Sequence, residues 1–245
     1  MEVHHHAHHD GPKNWKSYLQ EFGMLFLAVF CGSLAEYQLE HKIEKDRERQ
    51  FIESMVADMK EDKSKIKPVA EFCEEQAMAF DSILKIAYTS PLTDNKLRSL
   101  YRLQLRYGNI RYMMAFTKRT ISQLKNSGGL RLIRHKPASD TITLYDETCE
   151  DIEGQGDYIV NVRMGKINDL SIQLFDYSYF TPAIRSAGRP APLKLLSTDP
   201  QLLRQYANVM LIAKYSLLNY VRKLRSLEKE IPPKIAFLEK RYDLR

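Results

Sequence analysis

The chain of 245 residues is long enough for one domain of ordinary size with appended segments, or for two small domains. Its 44% hydrophobic and 28% charged residues are typical of a folded protein, and they exclude wholesale disorder, a collagen-like repeat and a polytopic membrane protein. Its three cysteines follow no metal-ligand spacing, and so small a number excludes a disulfide-stabilised secreted miniprotein.

The net charge of +6 is distributed along the chain in four blocks of alternating sign. Residues 1–95 carry a net charge of −6, residues 96–139 carry +11, residues 140–203 carry −5 and residues 204–245 carry +6. Adjacent blocks of opposite sign favour helices that fold back on one another and pair their charges. Alternatively, the basic block, which has no acidic residue, meets an anionic membrane surface or an anionic ligand. Nucleic acid is not predicted as a partner, because no nucleic-acid-binding motif accompanies the charge.

Residues 1–14 form a histidine-rich leader, with five histidines between His4 and His9. Imidazole groups bind zinc, copper and nickel, so a metal-binding tail is chemically possible. A flexible segment before Gly11 and Pro12 cannot hold a fixed coordination geometry, however. The sequence therefore predicts no metal site in this leader.

Residues 15–37 have the composition of a membrane anchor. The run from Phe22 to Ala35 contains no charged residue, and Trp15 and Tyr37 flank it as aromatic residues flank a membrane span. A charged helical pattern follows directly, which is unlike the cleavage site of a signal peptide. The sequence therefore predicts an uncleaved single-pass anchor, with a buried helix of a soluble protein as the alternative. More Lys and Arg residues follow the run than precede it, which weakly favours a cytoplasmic carboxy-terminal domain.

Small residues occupy one side of this predicted anchor, and helices approach each other closely in lipid where such residues lie. A carboxylate near the hydrocarbon edge is costly unless it is paired or protonated. The sequence thus predicts an oligomer seam that consists of Glu21, Ala28, Cys31, Gly32 and Ala35. The alternative is that the glutamate simply lies in the headgroup layer.

Beyond the anchor, the pattern predicts an all-α architecture. Residues 38–67 form an amphipathic stalk helix that ends or kinks at Pro68, and residues 68–245 form an antiparallel helical bundle. A second helix stops around Pro91, and a third ends near Gly108.

The third predicted helix carries Arg98, Arg102 and Arg106 at four-residue spacing on its outer side. Guanidinium groups suit phosphates and carboxylates, because their donors match these anions in pairs. With neighbouring tyrosines, the three arginines are therefore the candidate ligand-binding residues for an anion.

The middle of the chain is divided by glycines. The pair at Gly128 and Gly129 predicts a left-handed cap at the end of a short helix, since the pattern of a phosphate-binding loop is absent. Residues 139–180 predict a long helix with a bend, or with a strand over residues 158–162. Residues 181–198 predict a surface loop.

The last helix has the clearest periodicity. Asp199 is its predicted N-cap with Pro200 at the first position, and Pro232 and Pro233 are predicted to interrupt it. Packing inside its own bundle is the favoured interpretation, and an intermolecular coiled coil is the alternative. The two heptad series are Leu203, Met210, Leu217, Leu224 and Ile231, and Tyr206, Ala213, Tyr220 and Leu227.

Four segments of the chain resemble a family of uncharacterised bacterial single-pass membrane proteins. These are the leader Met1-Glu-Val-His-His-His, the anchor segment 15–36, the helix 50–60 and the segment 122–133. The resemblance implies a bacterial inner-membrane anchor, a helical domain of unknown function and a natural histidine leader. It implies no activity and no catalytic residue.

No arrangement of residues in the sequence indicates an enzyme. His41 and His135 lie among charged residues, and no paired carboxylates, nucleophile elbow or metal-ligand quartet is present. The sequence therefore predicts no catalytic residue and no cofactor. The first hypothesis is a membrane-anchored interaction module that forms a homo-oligomer or binds a partner membrane protein. The second is a sensory or ligand-binding helical domain, and an enzyme without short motifs has the least support.

Overall fold

The computed structural model describes residues 14–89, 91–108, 110–180 and 193–244. Within these ranges the chain is helical, apart from connecting segments and one isolated antiparallel bridge between Phe175 and Leu195. The predicted all-α class is therefore confirmed. The histidines at positions 4–9 and residues 181–192 of the predicted loop lie outside the described residues. Residues 1–50 and residues 51–245 form two compact units, and each is described by itself.

The described part of the first unit belongs to helix α1, which runs over Trp15–Ala87. None of the most apolar 18-residue stretch of this helix is buried, that is, 0% of it. The helix is long and apolar enough to cross a membrane. Phe22, Phe26 and Phe30 stack along one side with ring centroids 6.3 and 5.8 Å apart. A core helix of a soluble protein would bury such side chains, so the exposure weakens that alternative.

In the second unit, α1 packs one face into the core, with Ile52, Met59 and Ile66 fully buried. The helix passes through Pro68 without ending, although this residue was expected to end or kink it. Proline interrupts a helix by removing a backbone donor, at a cost of about 3 kcal/mol in a helix interior. Here the proline lies on the exposed side, while core contacts continue on the other. Residues 51–67 of the predicted stalk belong to the compact second unit.

Helix α2 spans Asp94–Leu103 and continues as a π-turn over Gln104–Gly108. An irregular segment follows, and it leads into the short helix α3, Arg119–Asn126. Gly128 has a φ of 67°, so the predicted left-handed glycine lies at this position. A 3₁₀ turn over Gly129–Leu132 completes this region.

Helix α4 spans Lys136–Tyr158, and a π-helical turn over Ile159–Met164 joins it to helix α5, Gly165–Leu174. The expected bend is thus a widened helical turn, and the alternative strand over residues 158–162 is not formed. A 3₁₀ turn follows over Tyr177–Phe180.

Helix α6 spans Pro200–Tyr242 and closes the core of the second unit. Its N-cap is confirmed, since the Asp199 carboxylate accepts a hydrogen bond of 2.9 Å from the backbone N–H of Gln201. The expected interruption at Pro232 and Pro233 is wrong, because the helix continues for nine further residues. Both prolines are exposed, and buried apolar residues precede and follow them on the core side.

The heptad residues of α6 face the core of their own chain. Leu203 is partly buried against the core, and the other eight are at most 1% exposed. Contacts with α1 run in opposite directions along the two helices: Asp81 pairs with Lys214, and Lys60 pairs with Glu239. The seam therefore packs against α4 and α5, and ion pairs join α6 to α1, so these residues are buried within their own chain.

Candidate functional site

Three residues of the basic block, residues 96–139, pair with carboxylates of neighbouring helices. Arg119 lies 2.8 Å from Asp58 and 2.7 Å from Glu61, both on α1. Lys125 lies 2.8 Å from Glu150 on α4. The remaining pairs join Lys118 to Glu153 and Lys125 to Asp146. Much of the charge alternation is thus explained by pairing within the chain, as the favoured interpretation expected.

The three candidate arginines line a single cavity of about 420 Å³ in the second unit. Arg98, Arg102 and Arg106 come from the outer side of α2 and its π-turn, whose inner side buries Leu97 and Leu100. We call this cavity the arginine pocket. Its lining consists of Arg98, Tyr101, Arg102, Leu105, Arg106, Tyr179 and Leu193.

The arginines of this pocket differ from the paired basic residues of the same block. In the part of the chain that the structure describes, none of the three takes part in an ion pair. The guanidinium of Arg106 lies 5.2 Å from the centroid of the Tyr107 ring, a cation–π contact that leaves its charge uncompensated by a carboxylate. Among the described residues, the lining also contains no acidic one. The pocket therefore carries a concentrated positive charge.

Tyr101 joins the pocket to the segments that end at Phe180 and begin at Leu193. Its hydroxyl donates a hydrogen bond of 2.8 Å to the carbonyl of Lys194 and accepts one of 2.9 Å from the backbone N–H of Asp176. Its ring meets Phe175 edge-on at 5.0 Å. Burial raises the pKa of the Tyr101 phenol, so the hydroxyl remains a donor at neutral pH. These bonds place Tyr179 and Leu193 beside α2.

The π-turn beneath the pocket is held by a buried amide. The Gln104 amide oxygen accepts a hydrogen bond of 2.5 Å from the Tyr206 hydroxyl, and its nitrogen lies 3.2 Å from the Tyr177 hydroxyl. Gly108 lies against this amide so closely that a Cβ at this position would overlap it. The wide turn thus needs both a polar partner on α6 and a residue without a side chain, which fixes the direction of Arg106.

A second polar cluster holds the irregular segment before α3 against the long helices. Asp62 on α1 accepts hydrogen bonds of 2.8 Å from both the backbone N–H and the hydroxyl of Thr117, and one of 2.7 Å from Tyr145. In addition, the Tyr220 hydroxyl accepts a bond of 2.8 Å from the backbone N–H of Met114. Because Asp62 and Tyr145 are almost completely buried, this cluster has a structural role and does not contact solutes.

The buried thiols are not activated. Burial raises the pKa of Cys73 and of Cys149 to about 12, so both stay protonated at neutral pH. Among the described residues, no three or more His, Cys, Asp or Glu side chains are placed so that they could hold a metal ion. The two buried thiols therefore offer no thiolate nucleophile at neutral pH.

The predicted oligomer seam lies on α1 in the first unit. Ala28, Cys31, Gly32 and Ala35 are exposed, and Glu21 is partly exposed. At about 100° per residue these positions fall on one side of the helix, and the stacked phenylalanines lie on the opposite side. The structure therefore gives the helix two distinct faces, while the seam itself stays a prediction.

Two residues of the arginine pocket were not predicted from the sequence. Tyr179 and Leu193 stand at the two ends of the segment that was predicted as a surface loop. The positions of Tyr179 and Leu193 are set by tertiary contacts, namely the hydrogen bonds of Tyr101 and the bridge between Phe175 and Leu195. The local sequence signal was the pair of tyrosines at positions 177 and 179, which are separated by one serine.

The chain matches no protein-family model, and searches of curated proteins and of solved structures found no match.

Proposed function

We propose that this protein is a membrane-anchored, non-enzymatic helical module whose second unit binds an anionic ligand in the arginine pocket. One observation carries the proposal. Lys118, Arg119 and Lys125 have carboxylate partners, whereas the three pocket arginines, from the same block, line one cavity and have no such partner among the residues that the structure describes. Neighbouring positive charges without carboxylate partners favour the binding of an anionic ligand from outside the chain.

The chemistry of the pocket supports this function. Guanidinium groups donate paired hydrogen bonds to phosphate or carboxylate oxygens, and such charge-assisted bonds contribute about 1.5–3 kcal/mol each. The cavity of about 420 Å³ falls within the range of roughly 300–1,000 Å³ that is usual for small-molecule sites. Tyr101 and Gln104 hold the wall from behind, so the site is organised before a ligand arrives.

The membrane anchor in this proposal is the apolar part of α1. Its side chains are exposed along the whole run, and aromatic residues stand at both ends, with Trp15 at 77% and Tyr37 at 61% exposure. Exposed apolar area on this scale is stable in lipid and unfavourable in water. We propose a single span over residues 15–37, followed by an antiparallel bundle in the second unit.

Replacing Arg102 with glutamine is expected to weaken the binding of pyrophosphate at least about tenfold, because it removes the central guanidinium of the pocket. The measurement is titration calorimetry on the full chain in a neutral detergent. Arg111→Gln is the matched control, since it removes the same charge from the same block outside the pocket lining. If neither pyrophosphate nor a phosphate ester binds the wild-type chain, or if both variants lose equal affinity, the proposed ligand site is refuted.

A second candidate function is assembly through the first unit. The observation that favours it is the separation of small residues and stacked phenylalanines onto opposite sides of α1, which would let two such helices approach closely. Light scattering on the detergent-solubilised chain is expected to show a defined oligomer, and Gly32→Leu is expected to dissociate it. Leu34→Ile, on another side of the helix, serves as the control. A strictly monomeric wild-type chain would contradict this candidate.

A further inference from the structure

We infer that the arginine pocket selects a phosphate ester that carries an apolar body, in preference to a bare inorganic anion. This inference rests on the proposed function and names the ligand class of the same site. It comes from a juxtaposition within one cavity: three arginines supply cationic groups, while Leu105, Leu193 and Tyr179 supply apolar surface.

The size of the cavity is the first argument. A volume of about 420 Å³ is that of a site for a small organic molecule. Inorganic phosphate would occupy only a fraction of it and would leave the leucine side chains in contact with water. A ligand with an organic group attached to the phosphate fills the remaining space and displaces that water.

The arrangement of charge is the second argument. Arg98 and Arg106 are eight residues apart, which corresponds to about 12 Å along a helix at ~1.5 Å per residue. Arg102 stands between them, so the positive charge extends along one side of the cavity. A phosphate dianion offers three oxygens to such a row and gains more from it than a single carboxylate does. None of the lining side chains that the structure describes is acidic, so none of them opposes the phosphate.

The apolar wall is the third argument. Leu105 follows Arg102 by three residues, which places it beside the arginines on α2, and 36% of it is exposed. Leu193 and Tyr179 line the same cavity. Contact with these side chains removes apolar area of both the protein and the ligand from water, at roughly 25 cal/mol per Å². An ester with a ring or an acyl chain obtains this gain, and a bare anion does not.

The ester could come from a soluble metabolite or from the headgroup of a lipid, because the recognised chemistry is the same. The test uses titration calorimetry on the full chain in a neutral detergent with three probes: inorganic phosphate, phenyl phosphate and dioctanoyl phosphatidic acid. We expect at least one of the two esters to bind about tenfold more tightly than inorganic phosphate. The ester that binds more tightly identifies the source, and either result supports the inference.

A variant separates the apolar wall from the charges. Leu105→Ser is expected to reduce the advantage of the ester over inorganic phosphate from about tenfold to less than about threefold, and to leave the binding of inorganic phosphate unchanged. The matched control is Leu144→Ser, since Leu144 is exposed on α4 and does not line the pocket. Both leucines are on the surface, so neither change should prevent folding.

The outcomes distinguish this inference from the proposed function. If inorganic phosphate binds as tightly as both esters, or if Leu105→Ser leaves the ratio unchanged, the ester preference is overturned. The proposed function still stands in that case, provided that Arg102→Gln weakens binding. If neither the esters nor inorganic phosphate nor pyrophosphate binds, the proposed function and the ester preference both fail.

Discussion

Replacing Leu25 and Leu27 together with lysine is expected to release the full chain from membranes. The two positions lie near the middle of the apolar run and, at about 100° per residue, point to different sides of α1. A lysine at the centre of a span costs about 2.5–3.5 kcal/mol, and the lost leucines add to that cost. The sum is about 6 kcal/mol, which corresponds to about four orders of magnitude in partitioning.

The measurement is alkaline carbonate extraction of membranes, followed by detection of the chain in pellet and supernatant. Leu144→Lys combined with Leu196→Lys is the control, because both leucines are exposed and lie outside the apolar run. The control variant should stay in the pellet with the wild type. A wild-type chain that remains folded and dispersed in the supernatant without detergent would refute the anchor.

Replacing Asp62 with alanine is expected to lower the free energy of unfolding of the second unit by about 3–5 kcal/mol. The change leaves the Tyr145 hydroxyl and the Thr117 backbone N–H buried without their acceptor. It also removes the contact that holds the irregular segment before α3 to α1. Urea unfolding of the full chain in detergent, followed by circular dichroism, measures the effect.

Asp169→Ala serves as the control, since Asp169 is exposed and its carboxylate has no hydrogen bond in the described structure. Its effect on the free energy of unfolding should stay within about 0.5 kcal/mol.

The pH dependence of stability provides an independent check on Asp62. Burial raises the pKa of Asp62 above its ordinary value, and the bonds from Tyr145 and Thr117 offset only part of this effect. An acid with a raised pKa in the folded state binds its proton more tightly there than in the unfolded chain.

The stability that Asp62 contributes by this effect is therefore complete below the ordinary pKa of an aspartate, and it is lost as the pH rises through the raised value. The difference in unfolding free energy between the wild type and Asp62→Ala should thus be larger at acidic than at neutral pH. A difference of under about 1 kcal/mol at every pH would show that the hydrogen bonds of Asp62 do not hold this region.

The arginine pocket shows which features of a binding site can be predicted from the sequence. Four-residue spacing is enough to place Arg98, Arg102 and Arg106 on one side of a helix, because that spacing is close to one helical turn. The sequence does not show that these three have no carboxylate partner within the described part of the chain, while Arg119 has two. Pairing depends on which helix packs beside which, and residues more than fifty positions apart decide it.

Local chemistry accounts for most of what the sequence alone determined. The helical class, the apolar run of α1, the cap at Asp199 and the left-handed Gly128 depend on residues that are close together in the chain. Periodicity, hydropathy and backbone preference act over a few residues, so they can be recognised without a structure.

Tertiary contacts decided where the helices end and what surrounds the pocket. Pro68, Pro232 and Pro233 have a local preference to end a helix, yet core burial on both sides of each keeps α1 and α6 continuous. In the same way, the hydrogen bonds of Tyr101 bring the ends of a distant loop against α2. Packing and buried hydrogen bonds join residues far apart in the chain, and their summed free energy exceeds the local cost of a proline or an irregular turn.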